Sequence, residues 1–337
     1  MADGLRVLGV AVAGLGVGEQ HARAYAGSPR CSLRWLYDLD RARAEQLGDE
    51  LGVEVAGSFE ELLEDPSVDL ISIASYDDAH AGQVMAALSA DKHVFVEKPL
   101  CRSVAELRAV RSAWTHTQSC HLRSNFVLRA APLYTWLRSF IAERRLGVIY
   151  AFDGDYLYGR LHKITDGWRK DVTDYSVMQG GGIHLIDLML WLTGERPETV
   201  SAAGARLATE ASAFRYNDFA AATYRFPSGL IGRITANFGC VHPHQHVVRV
   251  FGTAGTFIYD DRGARLQESR DPEAAVAPLD LPALPATKGD LIPDFVHAVL
   301  AGGDSASSAE HEFDVLSACL ASDRAVATGR EERVEYI

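Results

Sequence analysis

The chain has 337 residues, 47% hydrophobic and 23% charged, which is enough for two domains with sizeable cores and excludes a disordered chain. A formal net charge of −12 argues against a nucleic-acid surface, and no apolar run reaches the length of a membrane span. The opening Met-Ala-Asp-Gly lacks the basic and apolar regions of a leader. The cysteines (Cys31, Cys101, Cys120, Cys240, Cys319) are scattered without a Cys-x-x-Cys pair and read as reduced thiols of a cytoplasmic protein.

In chain order, Val7 to Ala13 is an apolar run suited to a strand buried on both faces. The turn Gly14-Leu15-Gly16-Val17-Gly18 follows, then a helical pattern through His21, Ala24 and Tyr25, and a second apolar run from Leu33 to Tyr37 that ends in Asp38. This is the order a dinucleotide site requires. Glycines let the backbone turn and approach a pyrophosphate, the next helix offers unpaired N–H groups, and a terminal acid takes the ribose hydroxyls. The spacing is one residue short of G-x-G-x-x-G, because position 19 is Glu19 and the third glycine is Gly18. Asp38 lies 24 residues after Gly14, and its carboxylate would repel a 2′-phosphate, so NAD is expected rather than NADP. Arg41 and Arg43 read as the polar face of the following helix.

Asp40 to Leu51 predicts a helix ending near Gly52. Ser58 with Glu61, and Ser103 with Glu106, have capping-box spacing and open helices over Phe59 to Glu64 and on to about His116. Asp69 to Ala74, His93 to Val96 and Leu122 to Asn125 are strands, with a helix from His80 to Ala90. Strands alternating with helices imply a doubly wound parallel sheet. Pro132 fits the first position of a helix running to about Arg144. Beyond Gly147 the pattern changes to successive strands: Val148 to Tyr158, Thr199 to Leu207, Ala220 to Phe226, Leu230 to Cys240, Val247 to Gly252 and Thr256 to Tyr259. One helix, Ile183 to Thr193, interrupts this series, which indicates an antiparallel sheet. Ala274 to Ala286 is expected to loop over the surface, and two helices, Leu291 to Leu300 and Glu310 to Thr328, close the chain. The fold class is therefore α/β, with a dinucleotide-binding domain over 1–125 and an α+β domain with an open, mostly antiparallel sheet over 126–337.

Lys98 stands between Glu97 and Pro99 directly after a strand, where open α/β sheets bind ligands, and can steady a substrate oxyanion. Gly180-Gly181-Gly182-Ile183-His184-Leu185-Ile186-Asp187 leads into an apolar helix. His184 and Asp187 share a helix face, and three glycines permit close approach to a flat ring. In a first helical turn the dipole would keep His184 neutral and able to take a proton from an alcohol; the alternative is a core histidine satisfied by Asp187. The loop from Tyr156 to Tyr175, with Trp168, Arg169 and Asp171, suits a polyol, though surface packing explains it equally. Asn125 reads as a ligand contact or a turn residue. His242-Pro243-His244-Gln245-His246 has no carboxylate or cysteine beside it and reads as exposed strand-turn residues, so no metal is expected.

With these residues in hand, the chain resembles the Gfo/Idh/MocA oxidoreductases over nearly its whole length. The most specific parts are Glu97-Lys98-Pro99 and the glycine run leading to His184 and Asp187, supported by the glycine turn, Ser75 to His80, Asn125 to Pro132 and Trp168-Arg169. The resemblance implies a Rossmann domain, a second domain whose sheet carries a dimer or tetramer interface, and oxidation of a secondary alcohol of a sugar, amino-sugar or cyclitol. It makes Lys98 the active-site lysine and His184 the general acid/base. Arg169, Trp168, Asp187 and Tyr156 fall to substrate. Gly14, Gly16, Val17, Gly18, Asp38, Ser75, His80, Glu97, Lys98 and Asn125 fall to NAD. Three departures stand out: the short glycine turn, Ser75-Tyr76-Asp77 in place of Thr-Pro-Asn, and Gly180 where many members carry an acid four residues before the histidine. Either Asp171 or Asp174 replaces that acid, or the chemistry runs on Lys98 and His184 alone. A ketoreductase acting on a keto-sugar and a non-catalytic NAD-binding sensor remain as alternatives.

Overall fold

The computed structural model describes residues 6–117, 119–303 and 305–337. Met1 to Gly4, read above as lacking a leader, lie outside the described residues. The chain forms two compact units, one of 6–127 with the described part of 285–316 and residue 337, the other of 128–284 with 317–336. The described part of 285–316 therefore packs with the first unit, where the sequence division had placed everything after 125 in the second. Both closing helices are legible from sequence, the second starting earlier, at Ser305, than the Glu310 expected, but the unit each joins is chosen by long-range packing.

The first unit contains β1 (Leu8–Ala13), α1 (Gly18–Ala26), β2 (Cys31–Tyr37), α2 (Arg41–Leu51), β3 (Glu54–Val55), α3 (Phe59–Glu64), β4 (Leu70–Ile73), α4 (His80–Ser89), β5 (His93–Val96), α5 (Val104–His116) and β6 (Leu122–Ser124). The six strands are parallel in the order β3-β2-β1-β4-β5-β6, so the strand order reverses between β1 and β4. β1 and β4 are buried along their whole length, which is why both read as unbroken apolar runs. The helix caps follow the sequence: Ser58 Oγ accepts the Glu61 N–H at 3.3 Å and Ser103 Oγ the Glu106 N–H at 3.2 Å. In both boxes the glutamate reaches the N–H one residue further out, Gly57 and Arg102 respectively.

The second unit contains α6 (Pro132–Ala142), β7 (Ile149–Leu157), α7 (His162–Thr165), α8 (Ile183–Thr193), β8 (Thr199–Ala205), β9 (Phe219–Arg225), β10 (Ile231–Asn237), β11 (Gln245–Gly252), β12 (Thr256–Asp260), β13 (Gly263–Gln267) and β14 (Ala277–Leu279). Beyond α9 (Ile292–Leu300), α10 (Ser305–Thr328) leads to β15 (Glu332–Arg333). Its nine strands run β14-β13-β12-β11-β7-β10-β9-β8-β15. The sheet is mostly antiparallel as expected, with β7 and β10 its one parallel pair among the described strands. One sequence expectation is corrected here: β14 adds an edge strand inside the stretch read as a surface loop. Neither is visible locally, because strand direction is set by partners far along the chain. α8 is buried almost all round and presses on the sheet where small residues make room. A methyl on Gly154 would meet the Leu185 side chain at 3.2 Å, and one on Gly232 the Met189 sulfur at 2.2 Å. Among the described residues, no helix is long and apolar enough to cross a membrane.

Candidate functional site

In the first unit, the ends of β1, β4, β5 and β6 bring together Gly14 to Gly18, Ser75, Glu97-Lys98 and Asn125, at the strand edge where parallel sheets bind ligands. The three glycines do different jobs. Gly14 has φ +82°, and a methyl there would lie 2.5 Å from the backbone of Ala74 and Ser75, so β1 can turn against β4 only with glycine. Gly18 packs the start of α1 on the sheet, its added methyl lying 3.0 Å from the Ala74 side chain. Gly16 faces open space, with nothing within 4 Å of an added methyl, and the start of α1 follows two residues later. That clear approach, next to the unpaired N–H groups of a nine-residue helix, fits the pyrophosphate of NAD. The missing residue of the motif therefore shortens the turn without removing any of the three roles. Val17 is the exposed cap residue of α1.

Asp38 sits at the end of β2 as expected. One carboxylate oxygen accepts the Leu15 N–H at 2.5 Å and the other the Asp40 N–H at 2.8 Å. The residue that would meet the ribose thus also holds the glycine turn in place. Arg43, assigned from sequence to a solvated face, approaches to 4.0 Å of Asp38.

Several residues assigned to the cofactor brace the site through protein partners. His80 is fully buried, its ring nitrogens 2.7 Å from the Pro99 carbonyl and 3.1 Å from the Ser75 carbonyl. Ser75 donates its hydroxyl to Gln83 at 2.6 Å. Asn125, also fully buried, donates to Glu97 at 2.7 Å and to the Lys288 carbonyl at 2.8 Å. Cofactor contact by the side chains of His80 and Asn125 is therefore corrected to a bracing role, since neither side chain is exposed. Glu97 completes the brace with His21 of α1, Nε2 to Oε1 at 3.3 Å, while His21 Nδ1 meets Ser72 Oγ at 3.0 Å. Burial pushes the Glu97 carboxyl up, but the His21 imidazole, the Asn125 amide and the Lys98 charge outweigh it and hold it at about 2. Glu97 is thus an ionised anchor directly beside half-buried Lys98. His21 was missed by the sequence reading; its only signal is a histidine on the inward face of α1.

In the second unit, His184 is 7% exposed and lies in an aromatic cluster. The Tyr156 ring is 6.3 Å away and nearly parallel, and the His246 ring is 5.9 Å away and edge-on. His244 is 5.0 Å from His246 and 5.2 Å from Tyr156. The histidine tract read as exposed strand-turn residues therefore contributes buried His246 and half-buried His244 to the surroundings of His184. The cause is register: His246 on β11 pairs with Tyr156 on β7, so both side chains face α8. Among the described residues, no three His, Cys, Asp or Glu side chains are grouped to hold a metal ion.

The glycine run has a protein explanation as well. A methyl on Gly181 would lie 2.3 Å from the Tyr156 ring, so the flat ring that the glycines admit is the chain's own tyrosine. A methyl on Gly180 would lie 2.2 Å from the Tyr175 hydroxyl, which fills the space that an acid at this position would take. Asp171 and Asp174, considered as replacements, are exposed.

Residues Met178–Gly182 form a π-helical turn continuous with α8, so His184 sits beyond the first helical turn. The expected dipole effect on His184 is corrected accordingly, because it fades within one turn. Asp187 is corrected too. It is fully buried and held by Arg129, whose Nε lies 3.0 and 3.1 Å from its two oxygens and whose Nη2 makes a further contact. Its side chain is an internal anchor for α8. Trp168 and Arg169 share one 3₁₀ turn; the guanidinium lies 4.6 Å over the Trp168 ring and 5.9 Å from the Tyr175 ring.

Residues 8–124 match the family model described as oxidoreductase family, NAD-binding Rossmann fold, and residues 134–258 match the GFO/IDH/MocA C-terminal domain, together well over half of the chain. The chain belongs to this oxidoreductase family. It binds NAD, and it acts as an oxidoreductase on CH–OH groups. It is 28% identical over 260 residues to the myo-inositol 2-dehydrogenase of Thermotoga maritima, covering 75% of each chain. It is 29% identical over 258 residues to the scyllo-inositol 2-dehydrogenase (NAD(+)) of Bacillus subtilis, covering 74% of this chain and 72% of that one. Among solved structures, levoglucosan dehydrogenase in complex with NADH has the same fold, with a TM-score of 0.86 at 22% identity over 98% of this chain and 100% of that one.

Proposed function

We propose that the chain is an NAD-dependent dehydrogenase that oxidises a secondary hydroxyl of a sugar, amino-sugar or cyclitol to a ketone. The observation that supports this most is the presence of Lys98 beside an ionised Glu97 anchor, and of His184 in a buried cluster, in a chain related to inositol dehydrogenases. A protein that only bound NAD would need neither. In this reading His184 takes the hydroxyl proton, and the Lys98 ammonium steadies the oxyanion that develops. The aromatic face of Trp168 and the guanidinium of Arg169, both half-buried, favour a polyol with apolar ring faces and polar edges. NAD, when bound, supplies the hydride acceptor; the chain aligns the groups and excludes water.

The test is absorbance at 340 nm with NAD and a panel of inositols, hexoses, anhydrosugars and amino-sugars. NADH formation with one of these classes is expected, abolished by Lys98→Met with NAD affinity within severalfold of wild type. Wild-type turnover in Lys98→Met would refute the role of the lysine. A panel without turnover alongside normal NAD binding would refute the dehydrogenase reading.

A further inference from the structure

The segment that carries His184 is capped from the far end of the chain. Ser176-Val177-Met178-Gln179 has the serine-to-glutamine spacing of a capping box. Ser176 Oγ accepts the Met178 N–H at 3.0 Å and the Gln179 N–H at 3.3 Å, and the Ser176 carbonyl accepts the Gly180 N–H at 2.8 Å. Those two N–H groups occupy both acceptor positions of the hydroxyl, which has one hydrogen to give. It goes to Asp323 Oδ1 at 2.5 Å, and the Gln179 side-chain amide donates to Asp323 Oδ2 at 2.8 Å. Asp323 lies in α10, 147 residues beyond Ser176. One carboxyl group thus holds the first turn of the helical stretch that runs through Gly180, Gly181 and Gly182 into His184.

The arrangement also bears on charge. Each Asp323 oxygen accepts a hydrogen, and a carboxylate serves both donors with no proton of its own to place. An ionised acceptor also holds each donor more tightly than a neutral one, so the carboxylate is the form that tightens the cap. We propose that Asp323 is a positioning residue for the reaction: as a carboxylate it locks the Ser176 cap and so sets where α8 presents His184. This rests on the reading of His184 as the proton acceptor.

Burial works against that charge. It pushes the Asp323 carboxyl up to about 6, against the pull of the Ser176 and Gln179 hydrogen bonds and with Asp174 adding to the rise. Among the described residues, the titratable groups that act on it are Asp174, from the loop ahead of the cap, and Tyr224 of β9. As pH falls through this value the carboxylate protonates, the Ser176 hydrogen loses its acceptor, and the cap loosens.

The experiment is amide hydrogen exchange over residues 176–184 of the full chain between pH 5 and 8, corrected for intrinsic rates, with turnover measured in parallel on a substrate found in the panel. In wild type, protection at the Met178 and Gln179 amides should fall as pH drops through about 6, the position of the Asp323 carboxyl. Asp323→Asn should remove that step and exchange about tenfold faster at pH 8, consistent with losing a charge-assisted hydrogen bond. Its kcat should drop by about tenfold, with the acid limb of its pH profile altered and KM for NAD within about twofold. If Asp323→Asn folds poorly, Ser176→Ala removes the same link and should lose the same protection. Flat wild-type protection across this range, or an Asp323→Asn variant that keeps both the pH step and the turnover, would overturn the proposal. His184→Asn separates the two ideas. Full turnover in that variant sinks the role of His184, while the exchange data still decide whether Asp323 holds the cap.

Discussion

Adding one methyl at Gly14 and one at Gly16 should damage different properties of the protein. At Gly14 the φ of +82° costs a non-glycine residue about 1–2 kcal/mol. The methyl also lies 2.5 Å from backbone atoms of Ala74 and Ser75, which cannot rotate away, and relieving such overlap costs a further 1–3 kcal/mol or so. Gly14→Ala should therefore lose about 2–5 kcal/mol, roughly 5–15 °C in melting temperature for a unit of this size. At Gly16 the methyl meets nothing within 4 Å, so Gly16→Ala should melt within about 2 °C of wild type, with a slight gain from a stiffer unfolded chain. The same methyl stands where the pyrophosphate must come within hydrogen-bond distance of the turn. Loss of one N–H contact to a charged phosphate is worth about 1.5–3 kcal/mol, so the Kd for NAD should rise at least tenfold or so. Differential scanning fluorimetry and calorimetric titration with NAD measure both. Gly16→Ala with a Kd within about twofold of wild type would refute the placement of the pyrophosphate, and Gly14→Ala with an unchanged melting temperature would refute the steric argument.

Four other substitutions probe the anchors. Arg129→Ala removes the guanidinium from the fully buried Asp187 and should cost about 3–5 kcal/mol in urea unfolding, with part of that recovered when Asp187→Asn is added; an additive double variant would contradict the pairing. The Glu97 carboxyl is held below its ordinary 4.5 in the folded state, so its stabilisation is complete above that value and lost as pH falls toward about 2. Glu97→Gln should thus be less stable at neutral pH and show a flatter decline of urea midpoint below pH 5; a decline as steep as wild type would count against the His21–Glu97 anchor. Asp38→Ala should raise the NADP-to-NAD affinity ratio about tenfold or more and weaken both cofactors, because the Leu15 N–H loses its partner. An unchanged ratio in parallel titrations would overturn the charge argument.

What could be read from the amino-acid order alone is what a few neighbouring residues decide. The apolar run of β1, the glycine turn, α1, and β2 ending in Asp38 are each encoded within a short window, and so are the serine caps of α3 and α5 and the position of Lys98 after β5. The family followed from the same local patterns, and with it NAD. Partners were decided elsewhere. Glu97 points to His21 and Asn125, Asp187 to Arg129 58 residues away, and Ser176 to Asp323. His246 joins His184 only through the register of β11 on β7, and β7 takes β10 as a parallel neighbour. The described part of 285–316 returns to the first unit. Propensity and capping act over about four residues, so a sequence can state them directly. A buried polar group must find a partner wherever the packed chain places one, and that choice exists only once the sheets and helices have closed on each other.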